Sequence, residues 1–520
     1  MGFLFISTLV YAMGMMGPSA IATKYVANKN YHDGDATSVV PAPLTFTALA
    51  GPFPLFPGEI TNTFHHLRIP KGPIAISEFS ADIVEKDPFS ISTSGDEDIM
   101  IPVPLSDAYL HHHVVDSEEK FHDKHILKSG HSHGVGFGAG TESRGTRQTF
   151  PYPYRFTTVE GEDELIANVH VINTRGMSSE DAHQCLECPC TAEDIPFMEK
   201  RKSHWRNDTC SSALMEEEND SCFPEKYRGG IRCCEHGEFC LDKFFMSKED
   251  KMSLQSGKNS SNSTALQSVF YLRYIIAYTP ATPDIQPLYL AACCDASGDE
   301  THRGNVEYDI PKCNNTNSGN KIKDSEADGD DCIHELDTVQ SLHGEATGTF
   351  GLGGAKNEED TFVDIVYMVG HLHRGGISMS SYFMNGTELC ISLPTYGSGL
   401  PHEIGNEPGY INSMSSCTFD PPLRMKTTDN IRVVGRYNSS EAHTGVMSLF
   451  YIALADVAVP KPGEQGSGTG IWKYFHSLAG GVALVCIVIV AIHYYPVLSK
   501  KIDRRRGYES VPSSNVELSV

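Results

Sequence analysis

Basic side chains are scarce in this sequence. Its 520 residues include 41 Lys and Arg against 66 Asp and Glu, which gives a formal net charge of -25. No basic stretch interleaved with aromatic residues occurs before the last hydrophobic segment. So acidic a chain repels the phosphate backbones of nucleic acids. The composition therefore argues against nucleic acid as a partner.

Helical periodicity is also scarce, except in one segment near the C-terminus. Short apolar runs bounded by Gly, Pro, Asn and Asp dominate the rest, a texture typical of β-sandwiches. The clearest predicted strands are Ala75–Val84, Leu165–Asn173, Val269–Tyr278, Phe362–His373, Ile431–Tyr437 and Val446–Ala455. We predict a mainly β fold with two β-sandwich domains, residues 45–176 and 265–457.

Residues 177–264 differ in composition from both predicted sandwiches. They contain eight Cys, four N-glycosylation sequons, many charges and little apolar alternation. This composition indicates a cysteine-rich insertion held by disulfides. Residues 458–477, which include a Gly- and Ser-rich stretch, predict a flexible stalk after the second sandwich.

Both ends of the chain carry membrane signals. Residues 1–22 are predicted to be a signal peptide, because an apolar run precedes the small-x-small pattern Ala20-Ile21-Ala22. Leu478–Leu498 has no Asp, Glu, Lys or Arg and is long enough to cross about 30 Å of hydrocarbon. The basic residues that follow place the tail, residues 499–520, in the cytoplasm. No retention signal ends the chain, so we predict a single-pass type I protein of the cell membrane.

Cysteines and sequons agree with this topology. Fourteen Cys precede the predicted membrane helix, and Cys486 lies within it. An even number outside the membrane allows complete disulfide pairing, as an oxidising compartment requires. The sequons all precede the helix, at Asn207, Asn219, Asn259, Asn262, Asn314, Asn385 and Asn438. Together they predict an extracellular, glycosylated ectodomain.

Two late histidines, His371 and His373, end the predicted strand Phe362–His373. Their i, i+2 spacing points both imidazoles to one face, although two surface histidines would give the same local pattern. Met447 lies on a strand that is apolar on both faces, and by itself it is a core residue. A thioether favours Cu(I), however, so two imidazoles and Met447 would form a site able to cycle copper between Cu(I) and Cu(II).

A run of three histidines, His111, His112 and His113, forms a second group. His170, on the predicted strand Leu165–Asn173, is its expected long-range partner. Consecutive residues of a straight strand face opposite ways, so two neighbours can bind one metal only at a strand end or at a bulge. A third imidazole would complete a three-histidine site.

Other candidate ligands have simpler explanations. His131 and His133 are more typical of a solvated loop than of a metal site, and a non-ligand role is equally favoured for His65 and His66. Asp324–Glu335 has oxygen donors at several positions of a calcium loop. It lacks flanking helices, and Cys332 is expected to form a disulfide. A solvated acidic loop is the default interpretation.

Several long strings of this sequence closely resemble the plant stress up-regulated Nod-nineteen family. They occur in the family's order, at Pro104–His112, Gly138–Arg144, Asn168–Gly176, Cys185–Cys190 and His443–Tyr451. The resemblance covers residues 55–457 and implies no particular reaction. Plant members typically carry Trp where His113 stands, which makes His111 and His112 the better ligand pair.

A more distant resemblance is to the ascorbate-dependent type II copper monooxygenases that hydroxylate peptidylglycine and dopamine. It is carried by the order His-His, His, His-x-His and Met, and it implies two jelly-roll-like sandwiches that each contribute one copper. The implied ligand sets are His111, His112 and His170 for an electron-storing copper, and His371, His373 and Met447 for an oxygen-activating copper. Tyr451 fits the same pattern. Val369 departs from it, because the peptide-amidating enzymes carry there an Arg that binds the substrate carboxylate.

Two functions follow from these patterns. One is an extracellular copper monooxygenase that hydroxylates an unknown small-molecule or peptide substrate, with dioxygen as oxidant and ascorbate as external reductant. The other is a non-catalytic metal-binding or stress-related surface protein of the same fold. A receptor-like module is a third hypothesis, which rests only on Tyr508-Glu-Ser-Val in the tail. The sequence does not predict the substrate or the oligomeric state.

Overall fold

The structure is a computed structural model. It describes residues 42–89, 99–118, 135–189, 210–230, 235–255, 267–291, 294–298, 306–313, 332–342, 362–399 and 404–457. The chain divides into two units, residues 1–44 and 45–520. The first unit is described only from residue 42, so the architecture below is that of the second.

The predicted signal peptide, stalk, membrane helix and cytoplasmic tail all lie outside the described residues. Among the helices of the described ranges, none has the length and hydropathy of a membrane-spanning segment. The spanning helix at Leu478–Leu498 therefore stays a prediction.

The described residues form 22 β-strands. In chain order they are β1 (Leu44–Leu55), β2 (Ile60–Arg68), β3 (Ile74–Lys86), β4 (Met100–Pro102), β5 (Ala108–Ser117), β6 (Gly136–Ala139), β7 (Gln148–Thr149), β8 (Tyr154–Thr157), β9 (Glu164–Asn173), β10 (Ser268–Pro280), β11 (Gln286–Leu290), β12 (Tyr308–Ile310), β13 (Ile333–Ser341), β14 (Phe362–Leu372), β15 (Gly376–Phe383), β16 (Glu388–Ser392), β17 (Pro394–Tyr396), β18 (Ile411–Met414), β19 (Ser416–Lys426), β20 (Asn430–Asn438), β21 (His443–Val446) and β22 (Ser448–Asp456). All six strands predicted from the sequence are present. The last one is broken, because β21 ends before Met447 and β22 begins after it.

Helices are short and lie mostly in the predicted cysteine-rich segment. The α-helices are α1 (Ser179–Leu186), α2 (Ser212–Glu216) and α3 (Lys248–Gln255), and short 3₁₀ turns span Thr141–Arg144, Asp220–Cys222 and Asp242–Phe244. Ser178 and Ser211 accept backbone hydrogen bonds at the N-termini of α1 and α2, which explains where these helices begin. The fold is mainly β, as predicted.

Most of the described strands belong to three sheets. Ten strands make the largest one, in the order β1-β10-β3-β8-β11-β22-β14-β19, with β4 and β7 beside β3. Two four-stranded sheets have the orders β2-β9-β5-β6 and β13-β20-β15-β16. Two strand pairs, β12-β21 and β17-β18, complete the set. Apolar side chains from all three sheets meet in one continuous core.

Each four-stranded sheet packs against one half of the ten-stranded sheet. In the first half, Phe79 of β3 stacks on Phe137 of β6 with ring centroids 4.3 Å apart. In the second half, the Gly370 amide of β14 donates to the Ser392 hydroxyl of β16 at 3.0 Å. Two sheets in face-to-face contact are sandwich-like, which agrees with the predicted architecture.

The ten-stranded sheet continues through both predicted domains. β10 comes from the residues assigned to the second sandwich, yet it pairs with β3 of the first, from Tyr271↔Val84 to Pro280↔Ile74. β8 and β11 then join the two halves as parallel neighbours. The halves are therefore connected by backbone hydrogen bonds as well as by side-chain packing.

Every cysteine in the described ranges is disulfide-bonded. The pairs with both members described are Cys185–Cys240, Cys210–Cys222, Cys313–Cys332 and Cys390–Cys417. The first two hold the cysteine-rich segment, and the other two lie in the second half. Disulfide bonding is thus confirmed.

The acidic segment Asp324–Glu335 does not end as a calcium loop would. Residues 324–331 lie outside the described residues. Cys332 is bonded to Cys313, and β13 begins with the next residue. The Glu335 carboxylate pairs with the Arg436 guanidinium, with 2.7 Å between Oε2 and Nε. Glu335 therefore serves a cross-strand ion pair.

Among the sequons in the described ranges, one is buried. Asn385 and Asn438 are exposed. Asn219 is only 6% exposed: its side-chain amide donates to the Asp309 carbonyl at 2.9 Å, and its oxygen accepts from the Asp309 amide at 3.0 Å. This double hydrogen bond joins the cysteine-rich segment to β12. A glycan on Asn219 would break it.

We expect Asn385 and Asn438, but not Asn219, to carry glycans when the chain is made in a eukaryotic secretory pathway. Peptide-N-glycosidase F in heavy-oxygen water converts glycosylated Asn to labelled Asp, so mass spectrometry distinguishes the sites. Asn385 and Asn438 are internal controls for the enzyme. A glycan on Asn219 in the folded protein would contradict the buried hydrogen bonds.

Candidate metal centre

A β-bulge in β5 turns two adjacent histidines to the same side of the sheet. The register of β5 against β9 shifts between Leu110 and His112, so His111 is the extra residue. His112 then lies opposite His170 on β9. Because neighbouring residues of a regular strand face opposite ways, the bulge is what allows both imidazoles to meet His170. The sequence required a bulge or a strand end here, and the bulge is confirmed.

The three early imidazoles form a compact group. Their ligand atoms lie within 4.8 Å of one another. The His111 ring stacks on His170 with centroids 4.3 Å apart, and His111 Nδ1 lies 3.3 Å from His112 Nδ1. Two nitrogens that bind one ion tetrahedrally, at about 2.0–2.1 Å each, are about 3.3 Å apart. The spacing of His111 and His112 therefore fits a shared metal ion.

The late histidines reach the same place from the end of β14. His371 Nδ1 lies 2.7 Å from the buried Glu142 carboxylate, and His373 Nδ1 lies 3.1 Å from the Gly445 carbonyl. Metal-binding histidines commonly donate one ring N–H to a carboxylate or carbonyl and bind the ion through the other nitrogen. Both rings are therefore arranged to bind a ligand through Nε2.

The early and late histidines are in direct contact. The ring centroids of His111 and His373 are 4.5 Å apart, and those of His371 and His373 are 5.2 Å apart. The resemblance implied one site in each sandwich, whereas the structure brings the two histidine groups together. We call this set the five-histidine cluster: His111, His112, His170, His371 and His373.

The five-histidine cluster is buried, with each member 0–5% exposed. Within the described part of the chain, Nε2 of His111, His371 and His373 and both ring nitrogens of His170 have no hydrogen-bond partner. A buried polar atom without a partner costs about 1–3 kcal/mol. Cations bound at the cluster would satisfy a nitrogen of His170 and the Nε2 atoms of His371 and His373, so the residues present fit a metal centre.

Burial keeps the early imidazoles and His373 neutral. It lowers the pKa of His112 to about 4. Burial, reinforced by neighbouring imidazoles, lowers the pKa values of His111, His170 and His373 well below the usual range. The neutral imidazole is the form that binds a metal. The environment therefore favours the ligand form over the charged form.

Glycines in and after β6 let the two halves approach closely at the cluster. A Cβ on Gly138 would lie 2.2 Å from the Tyr451 ring, and a Cβ on Gly140 would lie 2.8 Å from Cε1 of His371. Any larger residue would displace these rings. Burial, and then the charge of Glu142, raises the pKa of Tyr451, so its phenol stays protonated.

Met447 lies beside His373 in the strand register. The pairing of β14 with β22 ends at Leu372↔Ser448, so Met447 comes next to His373. The Tyr437 hydroxyl links the two backbones: it accepts from the His373 amide at 2.9 Å and donates to the Met447 carbonyl at 2.5 Å. The structure therefore brings the backbone of Met447 to the late histidines.

Other histidines of the early region lie apart from the cluster. His113 faces the core, where its ring is 5.9 Å from that of Phe79, and burial lowers its pKa to about 4. His66 is largely exposed, and its Nδ1 lies 3.3 Å from both the Glu118 and the Glu164 carboxylates. His131 and His133 lie outside the described residues.

Three polar residues at the cluster were not predicted from the sequence. Glu142 contacts His371, as described above. Asn168 Oδ1 lies 3.0 Å from His112 Nε2 and so leaves His112 Nδ1 facing His111. Glu307 Oε1 lies 3.9 Å from His111 Nε2. Glu142 and Asn168 both lie in sequence strings that carry the family resemblance, and those strings could have identified them as candidates. No pattern in the sequence points to Glu307.

These features define a disulfide-bonded, sandwich-like β protein with a buried candidate metal centre. The model of the stress up-regulated Nod 19 family matches residues 44–457. The chain belongs to that family, as the resemblance predicted. None of the curated proteins compared with the chain matches it. The family match includes all five members of the cluster.

We expect His112→Ala to lower the metal content of the purified protein and His113→Ala to leave it unchanged. The first change removes a candidate ligand of the cluster, whereas the second removes an adjacent imidazole that faces the core. Inductively coupled plasma mass spectrometry measures the content, and thermal melting confirms that both variants fold. Equal metal loss in the two folded variants would refute this assignment of ligands.

Proposed function

We propose that the protein is a copper-dependent monooxygenase that hydroxylates a small molecule or peptide. The observation that carries this proposal is the buried five-histidine cluster, in which five ring nitrogens have no hydrogen-bond partner among the described residues. Neutral imidazoles suit copper, and the Met447 thioether would favour Cu(I). Zinc would more often have thiolate or carboxylate ligands, and the described cysteines are all in disulfides.

Two copper ions are proposed. Their ligands are His111, His112 and His170 for the first, and His371, His373 and Met447 for the second. Copper held by these residues would supply the one-electron steps that reduction of dioxygen requires. The 4.5 Å contact between the rings of His111 and His373 joins the two ligand sets directly. An electron passing between the sets would cross packed side chains.

The chain's own residues orient the ligands and exclude water. Glu142 accepts a hydrogen bond from Nδ1 of His371, and the Gly445 carbonyl accepts one from His373. Asn168 Oδ1 fixes the His112 ring through Nε2, so Nδ1 is the nitrogen that remains for a metal ion. Tyr451 keeps its phenol proton. Burial of the cluster limits side reactions with water during dioxygen chemistry.

The proposed reaction inserts one oxygen atom into a substrate C–H bond. Dioxygen supplies that atom, and its second atom leaves as water after taking up two electrons and two protons. An external reductant such as ascorbate supplies the electrons. Val369 stands where the peptide-amidating enzymes carry a substrate-binding Arg, so peptide amidation is not part of the proposal.

We also propose two jelly-roll-like halves, an extracellular location and one membrane anchor at residues 478–498. The shared ten-stranded sheet with one smaller sheet on each half supports the two-part architecture. The disulfides support an oxidising compartment. Outside the cell, the site would meet dioxygen and an external reductant.

A non-catalytic metal-binding protein of the cell surface is the second candidate. The near-complete burial of the cluster favours it, since a ligand set with little exposure retains a metal well. In that case the same histidines would bind copper without turning over a substrate.

Copper binding and oxygen uptake separate the two candidates. Purified full-length protein should bind two coppers and give a Cu(II) electron paramagnetic resonance spectrum with nitrogen ligands. Oxygen consumption is then followed with ascorbate across a panel of candidate substrates. Substrate-dependent uptake supports the monooxygenase, whereas bound copper without uptake supports the non-catalytic role. Protein that binds no copper would exclude both.

Met447→Ile should leave Cu(II) content unchanged and abolish ascorbate-driven oxygen uptake. Isoleucine keeps a similar apolar volume but has no sulfur to stabilise Cu(I). Met425→Ile is the matched control, because Met425 and Met447 are each 4% exposed and Met425 lies on β19 opposite Val363. An oxygen electrode measures both variants. Equal uptake by the two would remove Met447 from the ligand set.

A further inference from the structure

Glu142 is a buried carboxylate that comes from the first half of the fold and contacts a histidine of the second. It lies in the 3₁₀ turn after β6 and is 2% exposed. One oxygen, Oε1, accepts from the Gly140 amide at 2.9 Å and lies 2.7 Å from His371 Nδ1. The other oxygen, Oε2, has no hydrogen-bond partner within the described part of the chain.

The local backbone is shaped for this contact. Gly140 has no side chain, and a Cβ there would lie 2.8 Å from Cε1 of His371 and 3.0 Å from Glu142 Oε2. The neighbouring cation does not compete for the carboxylate, because the Arg144 guanidinium binds Asp82, with 2.6 Å between Nη2 and Oδ1. The Glu142 carboxylate therefore interacts with His371 and not with Arg144.

We propose that Glu142 is a positioning residue, which fixes the tautomer and orientation of His371 so that Nε2 binds the second copper. This inference rests on the proposed function, since it concerns the same metal ligand. A carboxylate that accepts from Nδ1–H leaves the lone pair on Nε2 and makes the ring a better donor. The negative charge also stabilises the more highly charged Cu(II).

Glu142 Oε1 accepts from the Gly140 amide and lies beside Nδ1 of His371, and both contacts stabilise the anionic form of the carboxylate. A buried anion is stable only when it is paired or beside a cation. A copper ion on the far side of the His371 ring would provide that compensation through the imidazole.

Two substitutions separate the hydrogen bond from the charge. Glu142→Gln keeps an oxygen that can accept from both His371 and Gly140 but removes the charge. Glu142→Ala removes both. Loss of such an outer partner typically lowers metal affinity about 10- to 100-fold. We expect this loss for one of the two coppers in Glu142→Ala, a smaller loss in Glu142→Gln, and a higher copper reduction potential in Glu142→Gln.

Competition with a colorimetric Cu(I) chelator measures affinity in the purified full-length protein, and redox titration monitored by Cu(II) paramagnetic resonance measures potential. The control is Asp364→Asn, which neutralises a different buried carboxylate, on β14, that pairs with Arg424 at 2.9 Å. It should change neither quantity. If Glu142→Ala does not fold, the copper reduction potential of Glu142→Gln tests the positioning role.

The outcomes are distinct. Wild-type affinity and potential in the Glu142 variants, with only a lower melting temperature, would assign Glu142 a purely structural role and overturn the inference while leaving the proposed function intact. A wild-type protein that binds no copper would overturn both. Selective weakening of one copper, absent from Asp364→Asn, supports the positioning role.

Discussion

Desolvation of five imidazoles is the constraint on which the rest of this site depends. Burying a polar ring is tolerated when its nitrogens are bonded, and the fold supplies such bonds selectively. Glu142, Gly445 and Asn168 each occupy one nitrogen of a histidine and leave the other facing the cluster. The protein thus fixes the orientation of His371, His373 and His112 and leaves one nitrogen of each ring for another ligand, which is the arrangement that a metal centre requires.

The continuous large sheet explains how residues so far apart in sequence meet. The early histidines lie on the sheet β2-β9-β5-β6, and the late ones lie at the end of β14 in the ten-stranded sheet. Backbone pairing of β8 with β11 fixes the first half against the second. Because all these elements are strands or strand ends, the cluster is held by rigid parts of the fold.

Local patterns predicted the elements better than their assembly. Strand period and the His-x-His spacing identified β14, and the consecutive histidines required the bulge that places His111 beside His112. No local sequence pattern predicts the pairing of β10 with β3, because tertiary packing determines which strands pair. Glu142 and Asn168 were missed for the same reason: a polar residue in a turn or strand shows its role only when its histidine partner is known.

The two histidine groups can touch because glycines lie beside them. Gly138 and Gly140 admit the Tyr451 and His371 rings where any Cβ would collide with them, so the halves close until His111 and His373 touch. Interiors packed at this density shift between discrete arrangements instead of deforming smoothly. Electron exchange between the proposed ligand sets would therefore be governed by side-chain packing at this contact. On that view Gly138 and Gly140 would set the spacing of the proposed ligand sets, and with it any electron exchange between them.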